Sequence, residues 1–164
     1  MIKDIEELKK IIKNIDFNII PVINGKRKGK SGPKSTFHNG VLSLLFLKGI
    51  ELGYLIHFER PTQIEARYKN KQGNRVRNAG RVDMAWKDNI KKYKRGVNGK
   101  DLVWFEVDTE ISSKRSLKKF RDSPLQPKFK VNIKMKGFLQ KYKKKIKPIF
   151  ETKKNSDVLF VHFG

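Results

Sequence analysis

Apolar residues recur at helical spacing from the start of the chain: Ile2, Ile5, Leu8, Ile11, Ile12 and Ile15, with lysines and glutamates between them. Positions three and four apart share one face of a helix, so residues 2–15 are expected to form an amphipathic helix with one buried stripe. A short apolar segment follows at 17–23, where Pro21 argues against a central strand. Residues 24–34 are rich in Gly and Lys with no large apolar side chain, and they read as a basic loop. Ser35 or Thr36 can cap the next helix, which carries Phe37, Val41, Leu42, Leu44, Leu45, Phe46, Leu47 and Ile50. It is apolar nearly all round, ends near Gly49 or Gly53, and is the best candidate for a central packed helix.

The pattern then changes to extended segments. Residues 54–59 read as a strand stopped by Arg60 and Pro61, and 63–68 as a second extended piece before a polar turn at 69–75. A second strand lies within 76–86 and has Asp83 inside its 80–86 core. Residues 87–101 form a basic hairpin connection with the turn signal Asn98-Gly99. The run 102–108 is apolar except for Glu106 and Asp108, and reads as a buried strand. Ser112 or Ser113 can cap a helix reaching about Phe120, broken by Ser123-Pro124 and Pro127. Residues 129–135 alternate apolar and basic at period two, which predicts a half-buried strand with a cationic outer face. Residues 138–150 suggest a strongly basic helix ended by Pro148, and 157–163 a last strand. No internal repeat is visible. Residues 1–164 are expected to form a single domain with 24–34 as a loop within it.

Composition narrows the chemistry. There is no cysteine, which excludes disulfides, thiolate metal sites and thiol nucleophiles. The three histidines, His38, His57 and His162, do not pair at a metal-ligand spacing. No apolar run approaches the ~20 residues of a membrane span. The charged opening (Lys3, Asp4, Glu6, Glu7) is no secretory signal, so a cytoplasmic protein is expected. Lys+Arg total 39 against 16 Asp+Glu, a formal charge of +23. Such a field attracts polyanions, and nucleic acid is the obvious partner. A membrane surface fits less well, because the basic residues do not lie on one amphipathic helix. Lys26, Arg27, Lys28, Lys30 and Lys34 in the basic loop, with Lys91, Lys92, Lys94 and Arg95 in the hairpin connection, are candidate phosphate contacts. Lysines at 141–147 would add to them. A nucleotide-binding phosphate loop at Gly29-Lys30-Ser31 is disfavoured, since Asn24 stands where its first glycine belongs.

Two acids on a buried strand need a reason in so basic a chain. Along 102–108, Leu102, Trp104, Glu106 and Asp108 point one way and Val103, Phe105 and Val107 the other. Glu106 and Asp108 therefore share a side, where Asp83 on a neighbouring strand can join them. Carboxylates that converge repel one another unless a cation is present, and hard oxygen ligands favour Mg²⁺ or Mn²⁺. The plainer alternative has Asp83 and Glu106 at strand ends, paired with Arg81 or nearby lysines. Trp86, Trp104 and Phe105 read as core.

The order of elements, with Asp83 on the second strand and Glu106-x-Asp108 on the third, resembles the PD-(D/E)xK, or restriction-endonuclease-like, nuclease superfamily. The resemblance covers roughly residues 35–135. It implies an α/β fold with a central mixed sheet flanked by helices, in αβββαβ order. An extra N-terminal helix and a C-terminal helix and strand would be added to that core. Asp83 matches the family's first acid and Glu106 its second, while Asp108 stands where the family usually has lysine. In some members that lysine moves to the following helix, which here offers Lys114, Arg115, Lys118 and Lys119. Lys119, or failing that Lys114, then supplies the catalytic cation. Asp83 and Glu106 would hold Mg²⁺ or Mn²⁺, with Asp108 a third ligand or an acid behind the ligands, and Glu59 and His38 accessory. The implied activity is a metal-dependent DNA endonuclease, structure-selective or weakly sequence-specific, acting on duplex or branched DNA. A homodimer that cuts both strands would suit it. The rivals are a non-catalytic nucleic-acid-binding protein, an RNA-directed nuclease, and an inactive member of the fold.

Overall fold

A computed structural model describes residues 2–21, 33–69, 75–88, 100–109, 114–139, 145–153 and 156–164, with backbone alone at 33–34, 63–69, 75–79 and 114–115. The described elements run α1 (Ile5–Lys13), a 3-10 turn (Phe17–Ile19), α2 (Pro33–Glu51), β1 (Leu55–Lys69), β2 (Arg75–Lys87), β3 (Asp101–Asp108), α3 (Lys114–Asp122), β4 (Phe129–Lys134), β5 (Pro148–Thr152) and β6 (Val158–Phe163). The six strands form one mixed sheet in the order β1-β2-β3-β4-β6-β5. β1, β2 and β3 make an antiparallel meander; β4 runs parallel to β3, β6 parallel to β4, and β5 closes the far edge antiparallel to β6. The chain is thus a mixed α/β fold with helices packed on its sheet. No described helix is long and apolar enough to cross a membrane.

The apolar spacing at the N-terminus does make a helix. Asp4 caps α1 by accepting from the Glu7 backbone N–H at 2.8 Å, while the Glu7 carboxylate accepts from Lys3 N–H at 2.7 Å. These bonds satisfy donors that a helix start would otherwise leave unpaired. Leu8 and Ile12 of α1 and Phe37, Val41 and Leu45 of α2 pack on one face of the sheet. They meet Met84, Trp86, Val103, Phe105, Val107, Val131, Ile133 and Val161 there. The other face carries Val82, Ala85, Trp104, Val158 and Phe160 under Phe120 and Leu117 of α3. The alternation expected along β3 is therefore present from Val103 onward, whereas Leu102 packs with the α1/α2 face. α2 is less enclosed than its composition suggests: Leu47 and Ile50 are exposed.

Two glycines are needed for close approaches. Gly49 of α2 lies against the Trp86 indole, which stacks on Tyr54 at 5.7 Å; a Cβ there would meet Trp86 Nε1 at 2.7 Å. Gly137 has φ +81 in the turn after β4, and a Cβ would collide with the Phe163 carbonyl. That carbonyl is backbone and cannot swing aside. Gly137→Ala is expected to destabilise the fold by roughly 2 kcal/mol or more, read as a lower urea midpoint with an unchanged slope.

Three expectations need correction. β1 is not stopped at Arg60-Pro61 but runs on to Lys69, with a register shift between Pro61 and Glu65. It is an edge strand, where the N–H that proline lacks is not needed. β4 is not half-buried: it lies between β3 and β6, both faces are covered, and Lys130 and Asn132 are buried. Lys130 pairs with Asp157, and the Lys134 ammonium lies 4.9 Å from the centre of the Phe160 ring. This explains how basic residues fit a central strand. Among the described residues the expected C-terminal basic helix is not found either: 138–139 belong to a short turn, 145–147 have no regular structure, and 148–152 form β5. Pro148, read as a helix stop, begins that strand. Residues 24–30, 91–99 and 141–144, which hold most of the expected phosphate contacts, lie outside the described residues, as do the proposed caps Ser112 and Ser113.

Candidate active site

The acids sit where β2 and β3 part. The β2–β3 ladder ends at Met84 opposite Phe105, so the next facing positions are Asp83 and Glu106. There the Asp83 side chain replaces the ladder, and its Oδ2 accepts the Val107 backbone N–H at 2.7 Å. The strand turns over at this point. Val82 and Ala85 pack on the α3 face while Met84 packs on the α2 face, which strict alternation would not allow. The same break appears across β1, where Phe58 faces Met84 and Arg60 faces Val82, leaving Glu59 beside Asp83 with φ +50. A left-handed glutamate costs about 1 kcal/mol, and here it lets both strands reverse their faces together. Glu59 is exposed. Its contribution to the site is this backbone turn.

Glu106 is buried, with a side chain 3% exposed, and Lys119 Nζ donates to its Oε1 at 2.7 Å. The Ser116 hydroxyl lies 2.8 Å from Asp108 Oδ1 and 3.4 Å from Glu106 Oε2, so the two acids do share a side. Asn132 Nδ2 donates to Asp108 Oδ2 at 2.6 Å, and its Oδ1 is buried with no partner among the described residues. Ser116 and Lys119 lie three apart on α3 and so reach down from one helix face. Burial, reinforced by the neighbouring Asp83 and Asp108 charges, pushes the Glu106 carboxyl up to about 8, against the pull of Lys119. His38, near the start of α2, completes the rim. Its Nε2 lies 3.4 Å from Asp83 Oδ2, and that bond raises the imidazole above its ordinary value.

The structure thus brings together Asp83, Glu106, Asp108, Lys119 and His38. Glu106 does pair with a lysine, as the plainer reading held, but with one from α3; Arg81 is exposed. The Lys114 side chain is outside the described residues. Among the described residues, no three His, Asp or Glu side chains lie close enough to hold one ion. Trp86, Trp104 and Phe105 are fully buried core. Sequence reasoning missed Ser116, on α3, and Asn132, whose only signal was register: it lies directly opposite Glu106 on β4. It also placed Asp101 in a loop. Asp101 instead begins β3, where it accepts from Arg60 Nε at 2.9 Å and Trp104 Nε1 at 2.8 Å.

No family model matches the chain, no curated protein matches it in sequence, and no solved structure matches its fold.

Proposed function

We propose that the chain is a metal-dependent nuclease of the restriction-endonuclease-like type, hydrolysing phosphodiester bonds in DNA. The observation that carries this reading is Glu106, a buried acid bonded to Lys119 and raised by the nearby Asp83 charge, where β2 and β3 part. A carboxyl pushed up to about 8 despite a bonded lysine marks a place short of positive charge. Mg²⁺ commonly takes only one or two protein carboxylates, the rest of its shell being water and phosphate oxygens. Asp83 and Glu106 fit that donor set, with Mn²⁺ as the alternative ion. Asp108 has both oxygens engaged by Ser116 and Asn132, and acts as an acid behind the ligands that fixes α3 over them.

When bound, the ion would polarise a phosphoryl oxygen and lower the pKa of an attacking water. The chain's own groups do the rest. Lys119 Nζ, 29% exposed along its side chain, can turn from Glu106 to a water or a phosphate oxygen and steady the charge that develops. His38, kept protonated to higher pH by Asp83, adds a positive group at the rim where the backbone of a nucleic acid would pass. Duplex and branched DNA incubated with the protein and Mg²⁺ should yield fragments, and a chelator should prevent them. Salt-sensitive binding with no fragments under any divalent ion would leave only the binding protein.

A further inference from the structure

We propose that the outer β1–β2 ladder, residues 65–69 paired with 75–79, is an arm that enters the major groove of duplex DNA beside the candidate site. Beyond the Asp83 side-chain bond to β3, among the described residues, the β2 backbone pairs with β1 alone. The two strands continue as a ribbon in which Glu65 faces Ala79, Ala66 faces Asn78, Arg67 faces Arg77, Tyr68 faces Val76 and Lys69 faces Arg75. At about 3.4 Å per residue, the 65–69 stretch alone extends ~14 Å.

Its base is pinned. The Thr62 hydroxyl donates to the Gly80 carbonyl at 2.8 Å, and the Ser123 hydroxyl after α3 donates to the Thr62 carbonyl at 2.7 Å. The register shift between Pro61 and Glu65 lies at this base, where a bulge adds twist and can re-aim the ribbon.

The pairing itself points to a polyanion. Arg67 with Arg77 and Lys69 with Arg75 are directly facing pairs two positions apart, so by register these four basic positions fall on one face of the ribbon. Tyr68 with Val76 and Ala66 with Asn78 occupy the other. Like charges directly opposite one another destabilise a strand pair, and a row of phosphates removes that penalty. The major groove of B-form DNA is wide enough for a two-stranded ribbon, whereas that of A-form RNA is deep and narrow. Because β2 leaves β3 at Asp83, a duplex held by the arm passes next to Glu106 and Lys119. The proposal rests on the nuclease reading for the role of that duplex as substrate, and not for the binding itself.

The test is binding of the full chain to a 30-base-pair duplex in chelator, titrated with salt. The variant Arg67→Gln/Lys69→Gln/Arg75→Gln/Arg77→Gln is compared with Lys3→Gln/Lys9→Gln/Lys10→Gln/Lys13→Gln, which removes the same charge around α1 toward the opposite sheet edge. Each lost phosphate contact lowers the log–log salt slope by about 0.9, so the arm variant should lose roughly 3.6 in slope and at least ~100-fold in affinity near 0.1 M salt. The control should lose far less. Without DNA at low salt, the arm variant should melt no lower than wild type, since the facing charges are gone. The pair variant Arg67→Gln/Arg77→Gln should show about half the slope change, and serves if the fourfold variant does not fold. Equal losses for arm and control variants, or an equal dependence on the arm for duplex RNA, would overturn the proposal. Failure of the nuclease reading would look different: arm-dependent binding with no Mg²⁺-dependent fragments.

Discussion

Glu106→Gln is expected to abolish Mg²⁺-dependent cleavage, by at least ~10³-fold, while making the metal-free protein more heat-stable at pH 8 and above. Both effects come from one carboxyl. Its side chain is 3% exposed, and burial with two like-charged neighbours pushes it from an ordinary 4.5 to about 8. Between those values the folded chain holds a proton that the unfolded chain has released. Stability is therefore undiminished by this group below about pH 4.5, falls as the pH rises from there, and levels off above about pH 8. The accumulated cost is on the order of a few kcal/mol, and a glutamine of the same shape does not incur it.

Mg²⁺ should act in the opposite sense on the wild type. Binding requires the ionised carboxylate, so it releases a proton and strengthens with pH. Mg²⁺ should raise the wild-type melting temperature clearly at pH 8.5, less at pH 6, and not at all in Glu106→Gln. Calorimetry at two pH values with the cleavage assay checks all of this. A variant that still cuts DNA, or a wild type indifferent to Mg²⁺ at pH 8.5, would remove Glu106 from the centre of the site.

How far the chain could be read beforehand depended on whether a local pattern carried the information. The stripe of α1 and the apolar run of β3 did carry it. So did the shared side of Glu106 and Asp108, since alternation in a strand is geometry that needs no partner. The fate of Pro61 and of the basic residues on β4 could not be read this way. Proline ends a central strand but not an edge one, and a Lys–Val–Asn–Ile–Lys alternation suggests a wet face unless helices cover both sides. Which strand lies at the edge or in the centre is decided by the order β1-β2-β3-β4-β6-β5, not by the strand's own sequence. The site divides along the same line. Asp83 and Glu106 were legible as acids in apolar strands, whereas Asn132 became visible only through the β3–β4 register. The reversal at Asp83, with Glu59 left-handed beside it, had no sequence signal; a glycine would have given one.

Lys119→Met should reduce cleavage by about 10²–10³-fold and leave Mg²⁺ binding intact, and the second half of that statement decides what the lysine is for. Lys119 donates to Glu106 at 2.7 Å, so without metal it is the acid's counter-charge. Removing it leaves the buried carboxyl without its only bonded cation among the described residues, and the metal-free variant should melt lower at pH 8. If neutralising Glu106 were its whole task, Mg²⁺ would take over that task and restore both stability and cleavage. If the ammonium instead moves to the phosphate or the water during reaction, Mg²⁺ restores stability alone. Lys119→Arg separates charge from shape: it keeps the stability and should regain only part of the rate, because a planar guanidinium cannot occupy the ammonium's position. Lys114→Met is the control, expected to change neither property. A variant of Lys119 that recovers full cleavage with Mg²⁺ would return the lysine to a structural role and leave the catalytic cation to be sought elsewhere on α3.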